Sequence, residues 1–364
     1  MIVVTINYRL GPLGFLASPA LDQESPDHVS GDYGLLDTIA ALRRVRNNVG
    51  GFGGDPDNVT IFGQFAGPFG VNAMMASPMA HGLFRRAIVE SYPMFGISSP
   101  TQTLTQAEEG GQKFAASVGA ESLADLRMVA GADLVRVMDG KAIVFGLRPN
   151  VDGHVLPHDL TDVIAAHEAN GAALMVGSNY DEGTELLPAT TPEGLAALVR
   201  RRFGAQGDAI AQLYKGADSE TATIAQDRML SDYVLAASAR EAQAFAEPDK
   251  PAYVYRFTRL APGSDPIKVG AFHSAELAYV FGTLASIDRP WADRDRTLSD
   301  QMGQYWTNFA KTGNPNGVDL PKWPRYGAPA EDVMELGDKT GPMPVLDPER
   351  KALFDAYLAT RLSN

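Results

Sequence analysis

The sequence contains no cysteine, which excludes disulfide bonds and thiolate-bound metal sites. It also lacks any apolar run approaching the roughly 18 residues that a membrane-spanning helix needs. Basic residues are scarce, because 31 Lys and Arg stand against 44 Asp and Glu and give a formal net charge of −13. Since like charges repel, this balance argues against nucleic acid and anionic membrane surfaces as partners.

The N-terminus lacks the features of a secretory signal peptide. Residues 1–10 are largely apolar, but no basic residue precedes the apolar run and Arg9 interrupts it. We therefore expect a cytoplasmic protein. At 364 residues and 45% hydrophobic, the chain is long enough to bury a large core. No internal repeat or long linker divides it, so we expect a single domain over residues 1–364.

Short apolar runs alternate with segments of helical periodicity, and we predict five strands, at residues 2–8, 59–62, 86–91, 172–177 and 253–258, of which 2–8 and 172–177 have the continuous apolar sequence of buried strands. We predict a loop from residue 11 to 32, then helices or helical regions at 35–48, 66–76, 101–139, 192–247, 300–311 and 348–362. Strands joined by helix-length crossovers are typical of a parallel sheet covered by helices. The predicted fold class is therefore α/β.

The segment that leaves the second predicted strand has the spacing of a nucleophile elbow. In a Gly-x-Ser-x-Gly elbow, a serine occupies a sharp strand-to-helix turn, and small residues flank it because the backbone is crowded there. Gly63 and Gly67 occupy the two glycine positions, but Phe65 lies where the serine is expected. A phenyl ring can neither attack a carbonyl nor release a proton. The sequence therefore has the frame of an acyl-transfer site without its nucleophile.

Two more polar segments follow predicted strands. Residues 181–183 follow the fourth strand and include Glu182, and residues 270–276 lie beyond the fifth strand and include His273. In open α/β sheets, ligands bind beyond the carboxyl ends of the strands. The order nucleophile position, acid, histidine is the order that α/β-hydrolases use. Each segment alone is weak evidence, since Asp-Glu-Gly is a common turn and a single histidine is more often a surface or capping residue.

Together with their surroundings, these segments resemble the type-B carboxylesterases, a family of α/β-hydrolases that includes the cholinesterases. The resemblance extends from Met1 nearly to Asn364, in the family's order. The segments that carry it most clearly are residues 31–37, 52–63, 176–183, 270–282 and 305–316.

The resemblance implies a carboxylic-ester hydrolase with a Ser-Glu-His triad, no cofactor and a small-molecule ester as substrate. Matched position by position, Glu182 is the triad acid and His273 the general base. Ala66 supplies a backbone N–H to the oxyanion, and Ser91 is a serine near the triad acid. These roles agree with the chemistry, because histidine accepts a proton near neutral pH and a carboxylate fixes its tautomer.

The sequence departs from the family in two regions. Phe65 replaces the serine, and Gln64 stands where the family usually has glutamate. The family's preceding strands and its oxyanion loop are missing before residue 2, so we expect an N-terminally shortened domain that lacks one central strand. We predict that strands 2–8 and 59–62 pair directly, or that side chains fill a groove between them.

Three interpretations follow from these departures. The chain is an ester hydrolase that is inactive or very weakly active as written, a non-catalytic pseudoenzyme that binds a ligand or a protein, or a decayed gene product without a selected role. Ser91 is the obvious substitute nucleophile, but the neighbouring helix does not preorganise it and we expect the ring of Phe65 to stand between it and a substrate.

Other motifs give weak signals. His154 and His158 lie four residues apart, but Pro157 breaks the helix that would place them on one face, so we expect no zinc site. Residues 55–57 lack the further oxygen ligands of a calcium loop and are better explained as a solvated turn. We therefore predict no metal.

Overall fold

The computed structural model describes residues 1–94, 101–138, 145–166, 169–184, 186–263, 270–327 and 331–361. The chain divides into two compact units. The first contains Met1–Asp57, Asn72–Phe84 and Ser98–Asn170, and the second contains Asn58–Val71, Arg85–Ile97 and Gly171–Asn364. The prediction of one domain over residues 1–364 stays a prediction.

The described strands are β1 Thr60–Gln64, β2 Arg86–Glu90, β3 Gln102–Thr103, β4 Asn150–Val151, β5 Ala173–Asn179, β6 Ala252–Phe257, β7 Asp332–Leu336 and β8 Gly341–Pro344. The second unit is built on a six-stranded sheet of order β1-β2-β5-β6-β7-β8, parallel except for β8. The first unit holds a short parallel pair, β3 with β4. The predicted α/β class with a mostly parallel sheet is confirmed.

Helices make up most of the remaining described chain. The α-helices are Gly11–Phe15, Pro19–Glu24, Tyr33–Asn48, Gly67–Ala76, Leu104–Ser117, Leu123–Met128, Gly131–Met138, Leu160–Ala165, Pro192–Phe203, Gly207–Leu213, Ser219–Phe245, Leu277–Val280, Asp293–Thr312 and Pro348–Thr360. The 3₁₀ helices are Val49–Phe52, Pro78–Ala80, Gly204–Gln206 and Leu284–Ser286. Within the described residues, no helix has the length and apolar character to cross a membrane.

Alternate residues of the central strands face helices on opposite sides of the sheet, as a period of two requires. On one face, aromatic residues of β6 pack with helix Asp293–Thr312 in a cluster that includes Tyr253, Tyr255, Phe257, Tyr305, Trp306, Phe309 and Trp323. On the other face, Arg256 forms a buried ion pair with Asp232 of helix Ser219–Phe245, at 2.8 Å between Nη2 and Oδ1. Both faces are covered, which explains why these strands are mostly apolar.

The N-terminal predictions are wrong. Residues 2–8 form no strand, and their side chains are largely exposed, with Val3 51% and Val4 50% accessible. Direct pairing of these residues with the strand at 59–62 is therefore also wrong, and within the described residues β1 has β2 as its strand partner. The side-chain-filled groove stays a prediction. The predicted loop from residue 11 to 32 contains two short helices, each with a proline in its first turn, where the missing N–H costs nothing.

Candidate active site

The turn after β1 has the geometry of a nucleophile elbow with phenylalanine at its tip. Phe65 has a φ of +56°, a left-handed conformation that is rare outside glycine, and its N–H donates to the carbonyl of Glu90 at 3.2 Å. Helix Gly67–Ala76 begins two residues later. A Cβ at Gly63 would lie 2.5 Å from the carbonyl carbon of Gly67, so this close turn requires glycine at position 63.

The ring of Phe65 lies against the imidazole of His273. Their centroids are 4.9 Å apart and the planes meet at 79°, an edge-to-face arrangement that aromatic pairs favour. The side chain of Phe65 is 47% exposed to solvent although it is apolar, because the turn directs it away from the core. The ring therefore occupies the space beside the imidazole.

Glu182 lies in the turn that follows β5 and is 2% exposed. Its Oε1 accepts from the backbone N–H of Asn179 at 2.7 Å, and its own N–H donates to Ser231 Oγ at 2.8 Å. The next N–H, at Gly183, donates to Asp227 at 2.5 Å. Burial raises the pKa of Asp227 to about 7, and the neighbouring charge of Asp181 adds to this effect. The turn is thus held by hydrogen bonds on both sides of Glu182.

A short parallel bridge brings the histidine segment to this turn. Asp181 pairs with Phe272: the Asp181 N–H donates to the carbonyl of Ala271 at 3.1 Å, and Asp181 Oδ2 accepts from the Ala271 N–H at 2.7 Å. Glu182 and His273 each follow a bridged residue, so the bridge places them side by side. Gly270, at φ +59°, leaves room for the Asp181 carboxylate, which a Cβ would approach to 2.2 Å.

The result is a buried acid–base pair. His273 Nδ1 lies 2.6 Å from Glu182 Oε2, and His273 is 7% exposed. Because Nδ1 faces a carboxylate, we assign the proton to Nδ1, which leaves Nε2 as an acceptor. Nε2 lies 3.0 Å from the side-chain amide nitrogen of Gln64, which donates to it. The ring nitrogen that would take a proton from a nucleophile is therefore already hydrogen-bonded.

Two further buried glutamates lie near the pair. Glu276 Oε2 accepts from Asn179 Nδ2 at 2.5 Å, and burial raises the pKa of Glu276 to about 7, against the opposing effect of that hydrogen bond. Burial raises the pKa of Glu90 to about 8, the charge of Glu276 adds to the shift, and a hydrogen bond from Trp306 Nε1 at 2.8 Å opposes it. The site is thus rich in carboxyl groups that burial keeps protonated to unusually high pH.

Ser91 lies at the end of β2 with a φ of +69°, and its N–H donates to the carbonyl of Gly177 at 2.8 Å. Its hydroxyl is buried and finds no hydrogen-bond partner among the described residues. No described base therefore activates it, which argues against Ser91 as a substitute nucleophile. Its assignment as a serine near the triad acid stays a prediction.

Ala66 is exposed between Phe65 and the first residue of helix Gly67–Ala76. The N–H groups at a helix N-terminus have no intrahelical acceptor, which suits an oxyanion donor. Its oxyanion role stays a prediction. Sequence reasoning assigned no role to Gln64, Asn179, Glu90 or Glu276, although Asn179 and Glu276 lie inside the segments that carry the resemblance.

The residues of the two weaker metal motifs contact other residues of the protein. The Asp57 N–H donates to Asp55 Oδ1 at 2.9 Å, the hydrogen bond of a turn, and His154 Nε2 lies 3.4 Å from Asp27. In the described ranges, no group of three or more His, Cys, Asp or Glu side chains is arranged to hold a metal ion.

The comparisons with known proteins decide the family. The model of the carboxylesterase family matches residues 1–352. This chain belongs to the carboxylesterase family. It is 34% identical over 357 residues to the para-nitrobenzyl esterase of Bacillus subtilis strain 168, with 92% of this chain and 69% of that one covered. It is 33% identical over 360 residues to the fumonisin B1 esterase of Sphingopyxis macrogoltabida, with 94% of this chain covered.

Solved structures agree with this assignment. A PNB esterase superposes with a TM-score of 0.79 at 32% identity, over 96% of this chain and 72% of that one, and a thermophilic PNB esterase superposes with a TM-score of 0.78. The carboxylesterase fold, an α/β-hydrolase sheet, is thereby confirmed. The chain spans 64% of the length of the fumonisin B1 esterase, so what the whole relatives do is carried to this chain only as a proposal.

Proposed function

We propose that this carboxylesterase-family chain carries the acid and the base of an ester-hydrolysing site, Glu182 and His273. With phenylalanine at position 65, it hydrolyses simple esters slowly or not at all. The observation that carries the proposal is the 2.6 Å contact between Glu182 and His273 beside Phe65 at the tip of the elbow. An acid and a base in hydrogen-bond contact are what a triad requires of two of its members. The third position holds a side chain without a nucleophilic atom.

In a complete triad, a hydroxyl at position 65 would lose its proton to His273 Nε2 as its oxygen attacks the ester carbonyl. Glu182 would stabilise the resulting imidazolium. Phe65 removes the attacking atom, and loss of the nucleophile costs roughly a millionfold in turnover, a magnitude known from subtilisin. The bond from Gln64 to Nε2 adds a second obstacle, because a water that used His273 as its base would have to displace that amide.

The substrate class follows from the family. The relatives named above are esterases by name, and we carry over only the ester class. The proposed ligand is a small-molecule carboxylic ester.

Restoring the hydroxyl alone is expected to give little activity. We expect Phe65→Ser to recover at most about a hundredth of the millionfold loss, because Ala66 is the one oxyanion donor assigned among the described residues and each further donor that a site lacks costs roughly 10²–10³. Hydrolysis of p-nitrophenyl acetate and butyrate measures the effect. Phe65→Ala is the matched control, since it removes the ring without adding a hydroxyl.

The unmodified chain and His273→Ala complete the comparison. If the unmodified chain hydrolyses these esters at an appreciable rate and His273→Ala abolishes that activity, the proposal that the chain is inactive or nearly so is wrong. A fluorophosphonate probe would then identify the acylated residue by mass spectrometry. Equal activity in Phe65→Ser and Phe65→Ala would mean that Glu182 and His273 do not act on a hydroxyl at position 65.

A second candidate is a non-catalytic scaffold that binds an apolar ligand or a protein. It is supported by a groove of about 400 Å³ that is lined by residues on either side of His273 and by apolar side chains, among them Phe272, Ser274, Leu277, Phe281 and Trp291. Phe281 is 48% exposed there. Saturable quenching of tryptophan fluorescence by phenyl butyrate, weakened in Phe281→Ala, would support this function, and unsaturable quenching would count against it.

A further inference from the structure

Asn179, the last residue of β5, is hydrogen-bonded to both segments of the acid–base pair. It is fully buried. Its backbone N–H donates to Glu182 Oε1 at 2.7 Å, and its side-chain Nδ2 donates to the carbonyl of Phe272 at 2.7 Å and to Glu276 Oε2 at 2.5 Å. An amide nitrogen has two hydrogens, and both are used. One buried residue therefore contacts the acid, the residue before the base and a carboxyl three residues after it.

These bonds fix the orientation of the pair. The N–H of Asn179 holds one oxygen of Glu182 and leaves the other, Oε2, directed to His273 Nδ1. The backbone bridge at Asp181 anchors the histidine segment on one side, but a single anchor leaves the segment free to pivot. The side chain of Asn179 supplies a second anchor on that segment through Phe272 and Glu276. Two anchors determine both the position and the angle of the imidazole between them.

The electrostatics favour an amide over other side chains at this position. Asn179 lies among Glu182, Glu276 and His273, and a buried donor lowers the cost of charge on Glu276, whose pKa burial raises to about 7. A carboxylate at position 179 would have the same size but would offer no donor to the carbonyl oxygen of Phe272. It would also place a second buried carboxyl beside Glu276, and a buried charge or an unpaired buried acceptor is unfavourable.

We propose that Asn179 is a positioning residue that holds His273 Nδ1 on Glu182 Oε2 through these three hydrogen bonds. The proposal rests on the proposed function, because it concerns the acid–base pair of that site. It does not depend on turnover, since it concerns the alignment of Glu182 and His273, which are in contact in the unmodified chain.

The test is proton NMR of the unmodified chain and three variants. A proton held between an imidazole and a carboxylate resonates far downfield, and its loss in His273→Ala assigns it. Asn179→Asp keeps the size and the backbone N–H but replaces the amide donor, and Asn179→Ala removes the side chain. Ser178→Ala is the matched control, because Ser178 is equally buried on the same strand and its hydroxyl finds no partner among the described residues.

We expect the downfield proton to exchange with solvent at least tenfold faster in Asn179→Asp and Asn179→Ala, and at an unchanged rate in Ser178→Ala. An unchanged rate in a folded Asn179→Asp protein would overturn the proposal and leave the proposed function intact, as would an equal acceleration in Ser178→Ala. Absence of the resonance from the unmodified chain would also overturn it. Failure of Phe65→Ser to exceed Phe65→Ala in turnover, with the exchange effect present, would instead overturn the proposed function alone.

Discussion

Gly270→Ala is expected to lower the free energy of unfolding by about 3–5 kcal/mol, whereas Gly119→Ala should lower it by only about 1–2 kcal/mol. Both glycines are left-handed, at φ +59° and +73°, so both substitutions cost the same backbone strain. A Cβ at Gly119 meets nothing within 4 Å, but one at Gly270 would lie 2.2 Å from Asp181 Oδ2. That carboxylate must move and lose its bond to the Ala271 N–H, a charge-assisted bond worth roughly 1.5–3 kcal/mol.

Urea unfolding of the two variants beside the unmodified chain measures the difference. The same movement disturbs the bridge between Asp181 and Phe272, the residues that precede Glu182 and His273, so Gly270→Ala should also lose the downfield proton of the pair while Gly119→Ala keeps it. Equal losses of stability in the two variants would mean that the contact at Asp181 relaxes without cost, and the bridge would then not be what aligns the pair.

The central strands could be predicted from the sequence because their environment is uniform. A strand covered on both faces is mostly apolar, and β2, β5 and β6 each have an apolar centre and lie within one or two residues of their predicted bounds. The same pattern at residues 2–8 led to a wrong prediction. An apolar, β-branched run favours an extended backbone, but it forms a strand only where a neighbouring strand supplies hydrogen bonds.

The opposite error occurred at the far edge of the sheet. β8 is Gly-Pro-Met-Pro, a sequence that reads as a turn, and β7 contains two acidic residues in five. Proline is tolerated at a sheet edge because its missing N–H can face away from the neighbouring strand. Edge strands of this kind therefore carry no apolar signal that a sequence pattern could detect.

Some residues of the candidate site could likewise be found from the sequence, and others could not. The candidate acid and base could be found because they follow predicted strands in the expected order and lie in segments that resemble the carboxylesterases. Gln64, Asn179 and Glu276 could not be given roles, because their contacts depend on register. Gln64 aligns with Glu90, Glu90 with Gly177, and Gly177 with Tyr255, and this alignment determines which side chains meet at the carboxyl edge of the sheet. A shift of one residue would reverse the facing of each side chain, and the sequence alone does not specify it.

Glu90→Gln is expected to stabilise the protein by about 4 kcal/mol more at pH 8.5 than at pH 5. Burial raises the pKa of Glu90 to about 8 in the folded protein, above the ordinary value of a glutamate, so the folded state binds a proton that the unfolded state has lost. The contribution of Glu90 to stability is therefore fully present below about pH 4.5, and it falls as the pH rises towards 8, by about 1.4 kcal/mol per pH unit. Glutamine stays neutral throughout, and its carbonyl oxygen keeps the acceptor for Trp306 Nε1.

Urea unfolding at the two pH values measures the difference, with Glu193→Gln as the matched control. Glu193 is exposed in the first turn of helix Pro192–Phe203, so its replacement should change the free energy of unfolding equally at both pH values. A benefit of Glu90→Gln that is the same at pH 5 and pH 8.5 would show that the charge on Glu90 is not the cause. If Glu90→Gln stabilises the protein only at high pH, the charge that Glu90 acquires beside Glu276 is what lowers the stability of the site there.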